Sequence, residues 1–121
     1  HALSLSTGEI LWRKDLSDQC EENRFLCWHG ISAAVSSAEE LVFVGGLDGI
    51  LRAFDPESGD VLWETATLQS FGTPNGVEAR GGAIEADGPV IVGGEVFITS
   101  GYDKWNEAPG NVLLVYSVNG Q

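Results

Sequence analysis

Apolar residues along this chain fall in short runs separated by dense turn chemistry. Leu41-Val42-Phe43-Val44 and Ile50-Leu51-Arg52-Ala53-Phe54 are β-rich, and Gly45-Gly46-Leu47-Asp48-Gly49 between them carries the glycines and the Asp-Gly step of a tight hairpin. Asp55-Pro56-Glu57-Ser58-Gly59-Asp60 follows, with Pro to fix φ, Asp and Ser to bond the turn backbone and Gly for a positive φ; Val61-Leu62-Trp63 then starts another run. The pattern predicts strand, hairpin, strand, turn, strand. The opening His1-Ala2-Leu3-Ser4-Leu5 alternates like the middle of a strand. No segment sustains a 3.6-residue apolar period, and residues 15–24 are too polar for more than a short helical turn. Residues 69–82 read as a long polar loop without strand pattern.

The pattern repeats. Ala2-Leu3-Ser4-Leu5-Ser6-Thr7-Gly8-Glu9-Ile10-Leu11-Trp12 returns 51 residues later as Ala53-Phe54-Asp55-Pro56-Glu57-Ser58-Gly59-Asp60-Val61-Leu62-Trp63. Val42-Phe43-Val44 matches Val96-Phe97-Ile98 at an offset of 54, and Ile50 to Phe54 matches Val112 to Tyr116 at 62, so eight extra residues fall between Tyr102 and Asn111. Repeats of about 40 to 50 residues built from four short strands predict propeller blades, which bury their faces only by stacking on neighbours. The expected fold is therefore all-β: a partial β-propeller of about two and a half four-stranded antiparallel blades. The end of one blade is placed at residues 1–28, a whole blade at 29–66 and a C-terminal blade at 67–121. Trp12 and Trp63 follow Gly8 and Gly59 at a fixed distance, which predicts structural tryptophans packed between blades rather than catalytic ones.

Charge and composition narrow the partners. The 121 residues carry a formal net charge of -12, which disfavours nucleic acid, and no apolar run approaches the roughly 20 residues that span a bilayer. The 43% apolar content suits a packed domain. With no initial Met and an opening in mid-strand, the chain reads as a piece of something larger.

These residues resemble a known family. Ala53, Asp55, Ser58, Gly59 and Trp63 stand where propellers that bind pyrroloquinoline quinone (PQQ) carry their tryptophan-docking signature, and the first copy has Ser4 in place of the Asp. The run 41–55 resembles the late blades of quinoprotein alcohol dehydrogenases. Asn75-Gly76-Val77, Gly81-Gly82, Gly88-Pro89, Ser100-Gly101-Tyr102 and Pro109-Gly110-Asn111-Val112-Leu113-Leu114 resemble the end of polyvinyl-alcohol-dehydrogenase-like proteins. The resemblance implies a periplasmic or secreted protein whose intact form oxidises an alcohol to a carbonyl. It implies PQQ and Ca2+ as cofactors and cytochrome c as electron acceptor, with the catalytic base outside this chain. Members without quinone act as scaffolds, sensors or assembly factors, and a cofactor-free scaffold that binds ligands or proteins is the alternative.

PQQ is a flat tricarboxylate, so a site for it needs aromatic faces, cationic or amide donors and an oxygen-lined metal position. Asp48, Arg52, Asn75 and Trp28 have suitable chemistry in segments resembling the family's funnel. Each also has a structural use: Asp48 in its Asp-Gly turn, Arg52 in an exposed cross-strand ion pair, Asn75 in a turn. Ile50 stands where an aromatic commonly follows the Asp-Gly step, which weakens stacking there. Tyr102 and Trp105 in the insertion suit contact with a polymeric substrate or a neighbouring chain, or a cap over the hairpin. No metal site is expected: Cys20, Cys27 and His29 have the wrong spacing for zinc and no fourth ligand, so the cysteines are a disulfide or plain thiols. Glu21-Glu22 and Glu39-Glu40 read as solvated loop charge. The partners expected are the remaining blades, or further copies of the chain joined head to tail because residues 116–120 resemble residues 3–8.

Overall fold

The computed structural model describes residues 1–16, 20, 27–85 and 87–118, and among them there is no helix. Residues 17–19 and 21–24 of the stretch expected to form at most a helical turn, the Glu21-Glu22 pair and Asn119-Gly120 of the head-to-tail similarity lie outside the described residues.

Eleven strands among the described residues form antiparallel sheets. β1 (Ala2–Leu3) pairs with β2 (Ile10–Trp12). β3 (Ser36–Ala38), β4 (Leu41–Gly45), β5 (Ile50–Phe54) and β6 (Val61–Ala66) make a four-stranded meander in sequence order. β7 (Ser70–Phe71) and β8 (Ala79–Arg80) form a small hairpin, and β9 (Val90–Val92), β10 (Glu95–Ser100) and β11 (Val112–Ser117) a three-stranded meander. The fold is a partial all-β propeller. The β7–β8 hairpin lies inside the segment read as a featureless loop, because two-residue strands are too short for alternation to show.

The repeat seen in the sequence is a repeat of register. Val42 pairs with Phe54 as Val96 pairs with Tyr116, Val44 with Arg52 as Ile98 with Leu114, and Gly45 with Leu51 as Thr99 with Leu113. The inner pairs follow suit: Ser36 opposite Phe43 corresponds to Val90 opposite Phe97. The turns repeat as well. Gly8 and Gly59 sit at φ of 75° and 76°. In the second copy the Asp55 carboxylate accepts from the amides of Glu57 and Ser58, and in the first the Ser4 hydroxyl accepts from Thr7, so Ser does the work of Asp with one bond fewer.

The core lies between the four-stranded and three-stranded sheets. Phe43, Leu51 and Ala53 of one face meet Val96, Ile98, Val112 and Leu114 of the other, with Ile84 from the connecting segment filling the middle. Gly45 has no side chain because Ile84 occupies the space that its Cβ would take.

An antiparallel meander sends alternate connections to opposite ends. Among the described residues, the β2–β3 connection, the β4–β5 hairpin, the β6–β9 connection and the β10–β11 connection therefore share one end, and the Ser4–Gly8 and Asp55–Gly59 turns the other. The long connections at the first end are bonded into one layer. Leu47 donates to Gly30 (2.9 Å), Ile84 to Gly46 (3.0 Å), Ala83 to Ala108 (2.8 Å) and Gly101 to Ala83 (2.8 Å).

Candidate functional site at the loop end of the sheets

At the loop end the β4–β5 hairpin is closed by Gly49 at φ 72°, and Asp48 Oδ1 accepts from the Ile50 amide (3.1 Å). Asp48 thus forms its turn, but it also holds Arg52. The guanidinium donates to both carboxylate oxygens, Nη2 to Oδ2 at 2.6 Å and Nη1 to Oδ1 at 3.3 Å. Arg52 is 1% exposed and Asp48 5%, so the expected exposed ion pair is instead a buried one. The cross-strand partner exists too: Glu64, opposite Arg52 in the register, lies 3.6 Å from Nε as an ionic contact without a hydrogen bond. Arg52 is buried because its side chain turns along the strand to the hairpin carboxylate, and Gly46 makes room: a Cβ there would run into Asp48. With three donors already bonded, Asp48 is a positioned anion rather than a free base.

Beside this pair lies an open cleft of about 230 Å3 lined by Lys14, Asp15, Leu16, His29, Gly30, Ile31 and Asp48. Trp28 precedes it in the same connection. Its ring is half exposed and its indole N–H donates to the Asn106 carbonyl at 3.2 Å, reaching from the first long loop to the last. Asn75 sits at the tip of the β7–β8 hairpin, where its amide oxygen accepts from the Thr73 hydroxyl (2.7 Å) and the Val77 amide (3.1 Å). The structure brings Asp48 and Arg52 into contact, while Trp28 and Asn75 stand on other loops of the same end.

A buried hydroxyl node joins three of these loops. Ser100 Oγ donates to Thr67 Oγ1 (2.7 Å), Thr67 Oγ1 to the Gly49 carbonyl (2.9 Å), and the Gly82 amide donates to Ser100 Oγ (2.9 Å). Thr67 and Ser100 are 0% and 3% exposed. The sequence reading missed them; their place at the loop-proximal ends of β6 and β10 is a signal only once the register is known.

Cys20 and Cys27 form a disulfide, which removes both thiolates from any metal site and leaves His29 without cysteine co-ligands. Among the described residues no three His, Cys, Asp or Glu side chains converge to hold a metal. Glu85 has one buried carboxylate oxygen without a hydrogen-bond partner, a single oxygen donor where Ca2+ takes six to eight. The residues described do not fit Ca2+ on their own. For a flat polycarboxylate the donor set is better: an ammonium at Lys14, a ring face at Trp28 and an amide at Asn75.

The opposite end carries the tryptophans. Trp12 donates its indole N–H to the Pro56 carbonyl (2.8 Å), stacks on Phe54 with centroids 6.4 Å apart, and lies so close to Gly59 that a Cβ there would meet the ring at 2.6 Å. Trp63 meets Tyr116, the residue equivalent to Phe54, edge-on at 5.4 Å. An apolar cavity of about 410 Å3 lined by Leu41, Trp63, Ile91, Tyr116 and Val118 lies beside it. The corresponding place next to Trp12 is filled by the 55–59 turn.

Comparison with known proteins agrees with this architecture. The family model PQQ_2, described as outer membrane protein assembly factor BamB, matches residues 1–120. The chain belongs to the PQQ-binding-like β-propeller repeat family. Within that family it is 33% identical to a polyvinylalcohol dehydrogenase of Sphingopyxis sp. (strain 113P3), over 99% of this chain and 20% of the relative. A polyvinylalcohol dehydrogenase of Pseudomonas sp. is 34% identical over 100% of this chain and 20% of its own length. A 1-butanol dehydrogenase (cytochrome c) of Thauera butanivorans is 32% identical over 84% and 15%. The chain therefore spans about a fifth of the polyvinylalcohol dehydrogenases it matches. Its sheets present loops at one end and tight turns at the other, and the eight extra residues of the last repeat fall in a loop.

Proposed function

We propose that this chain is part of a PQQ-dependent alcohol dehydrogenase of the polyvinyl-alcohol type, exported to an oxidising compartment, and that its loop end faces the cofactor. The observation that carries the reading is similarity over the whole chain to two polyvinylalcohol dehydrogenases at 33% and 34% identity. The Cys20–Cys27 disulfide supports a periplasmic or secreted location, where such bonds persist. Oxidation of an alcohol to a carbonyl removes two electrons and two protons, and PQQ supplies the two-electron acceptor when bound. In this reading the half-exposed ring of Trp28 offers a stacking face. Lys14 and the Asn75 amide hold carboxylate or carbonyl oxygens, and the buried Asp48–Arg52 pair fixes the hairpin beneath the cleft. The base and the Ca2+ ligands come from other blades. Electrons pass to a cytochrome c, the acceptor named for the Thauera relative. At the opposite end, Trp12 and Trp63 act as docking tryptophans between blades.

The test is uptake of PQQ by the full-length protein with Ca2+, followed by absorbance, and reduction of an artificial dye on adding 1-butanol or polyvinyl alcohol. Stoichiometric uptake with alcohol-dependent reduction is expected. Absence of uptake overturns the reading in favour of a cofactor-free scaffold. That second reading is favoured by the family description and by 36% identity, over 51% of this chain, to the assembly factor BamB of Shewanella oneidensis.

A further inference from the structure

The connection between β10 and β11 departs from the repeat by its eight extra residues, and its construction is not that of a slack surface loop. Its base is tied on both sides: Gly101 donates to Ala83, Ala83 to Ala108, Gly110 to Gly101 (2.9 Å) and Asn111 to Arg80 (2.8 Å). Glu107 is only 5% exposed, and its carboxylate accepts from the Trp105 amide at 2.7 Å. The Asp103 carboxylate accepts from the Asn106 amide at 3.1 Å, and Asn106 takes a φ of 72°. The Trp28 indole then pins the Asn106 carbonyl from a different loop.

All this scaffolding displays rings instead of hiding them. Trp105 is 69% exposed, Tyr102 52% and Trp28 49%. A cap over the hairpin would bury its aromatic faces, so the cap reading of these residues does not hold. The Lys104 ammonium lies 5.7 Å from the Trp105 centroid and occupies one face of that ring. Rigid, half-exposed Trp and Tyr side chains offer large contact area at small entropic cost, the property that makes them anchors in recognition surfaces.

We propose that Tyr102 and Trp105 form a platform for an extended, neutral aliphatic polyalcohol chain. Three observations select this occupant. The net charge of -12 disfavours a polyanion. The rings stand on an open surface rather than in an enclosed pocket, which suits a chain lying across them better than a small apolar molecule. The exposed Asp103 carboxylate, between Tyr102 and Trp105 in the chain, offers acceptor oxygens suited to hydroxyls, and exposed ring faces suit a methylene backbone. The choice of polymer rests on the alcohol dehydrogenase reading above and deepens it: the platform would feed the chain toward the loop end.

The experiment is affinity electrophoresis of the full-length protein in native gels containing polyvinyl alcohol or, separately, dextran. Binding is read without PQQ, Ca2+ or turnover, so failure of the redox reading leaves this test intact. Retardation by polyvinyl alcohol is expected, weakened about three- to tenfold by Trp105→Ala or Tyr102→Ala and largely kept by Trp105→Phe. Trp105 is mostly exposed, so its loss leaves the fold standing. The proposal is overturned by no retardation, by retardation in dextran alone, or by retardation that both alanine variants leave unchanged, as a platform for a protein partner would.

Discussion

Strands β3–β5 and β9–β11 are one ladder built twice, with the same pairs in the same register, yet the two are filled differently. Where the first has Gly46 and Arg52 the second has Ser100 and Leu114. The first closes its hairpin in a few residues over a buried ion pair. The second closes it with an eight-residue insertion over a hydroxyl node. Surroundings differ as well: Leu51 is fully buried, whereas its equivalent Leu113 is 61% exposed, because Leu51 faces the next sheet and Leu113 faces none among the described residues. Backbone pairing is thus what the repeat conserves, and the loop-end filling is free to vary, which is where a site can be written without disturbing the fold.

The largest effect expected from breaking this contrast is at Asp48. Asp48→Ala leaves the Arg52 guanidinium buried with only the longer Glu64 contact, and should cost about 3–5 kcal/mol in the unfolding of the full-length protein. Carrying Leu114 of the second ladder into the first by Arg52→Leu, together with Asp48→Asn to neutralise the partner, removes both charges together. That double variant should unfold within about 1–2 kcal/mol of the parent, far less than Asp48→Ala alone. Equal losses in the two variants would mean that the pair is not the element that matters.

The turns at the other end sharpen the comparison, since there the two copies are alike in backbone and differ only in what covers them. Gly59→Ala places a Cβ against the Trp12 ring at a positive φ and should cost about 2–4 kcal/mol. Gly8→Ala has the same φ but meets nothing within 4 Å, so strain alone, about 1 kcal/mol, is expected. Denaturant midpoints of the two variants measure the difference. Ser100→Ala comes next: it orphans the Gly82 amide and leaves Thr67 Oγ1 without a donor, a loss of about 1–3 kcal/mol in the same assay.

Much of this architecture was legible because it is local and repeated. Alternation, the Asp-Gly step and the Asp55–Gly59 turn residues fix strands and turns within a few positions, and the 51-residue offset exposes the blades. The loop end was not. Arg52 reads as a solvated strand residue until Gly46 is seen to leave space for it to fold back on Asp48. Thr67 and Ser100 lie 33 residues apart and meet only through the packing of two sheets. The pairing of Cys20 with Cys27 was one of two options in the sequence, since spacing alone does not decide between thiols and a disulfide.

The smallest effect concerns the aromatic that meets each tryptophan. Phe54 meets Trp12, and Tyr116 meets Trp63 with a hydroxyl that Phe54 lacks. Burial raises the Tyr116 pKa above its ordinary value of about 10, a stronger influence than the hydrogen bond with Thr65 that lowers it. The folded state therefore favours the neutral phenol. Its contribution to stability is complete below the unfolded value and is lost as pH rises through the raised folded one. Tyr116→Phe makes the second seat resemble the first and should cost about 0.5–1.5 kcal/mol near pH 8, the worth of one hydrogen bond. Between pH 8 and 11 the gap between parent and variant should shrink, because only the parent carries the phenol that must stay protonated. A gap that stays constant across that range would mean that Tyr116 ionises as freely in the fold as outside it, and that the Trp63 seat is open to water in a way the Trp12 seat is not.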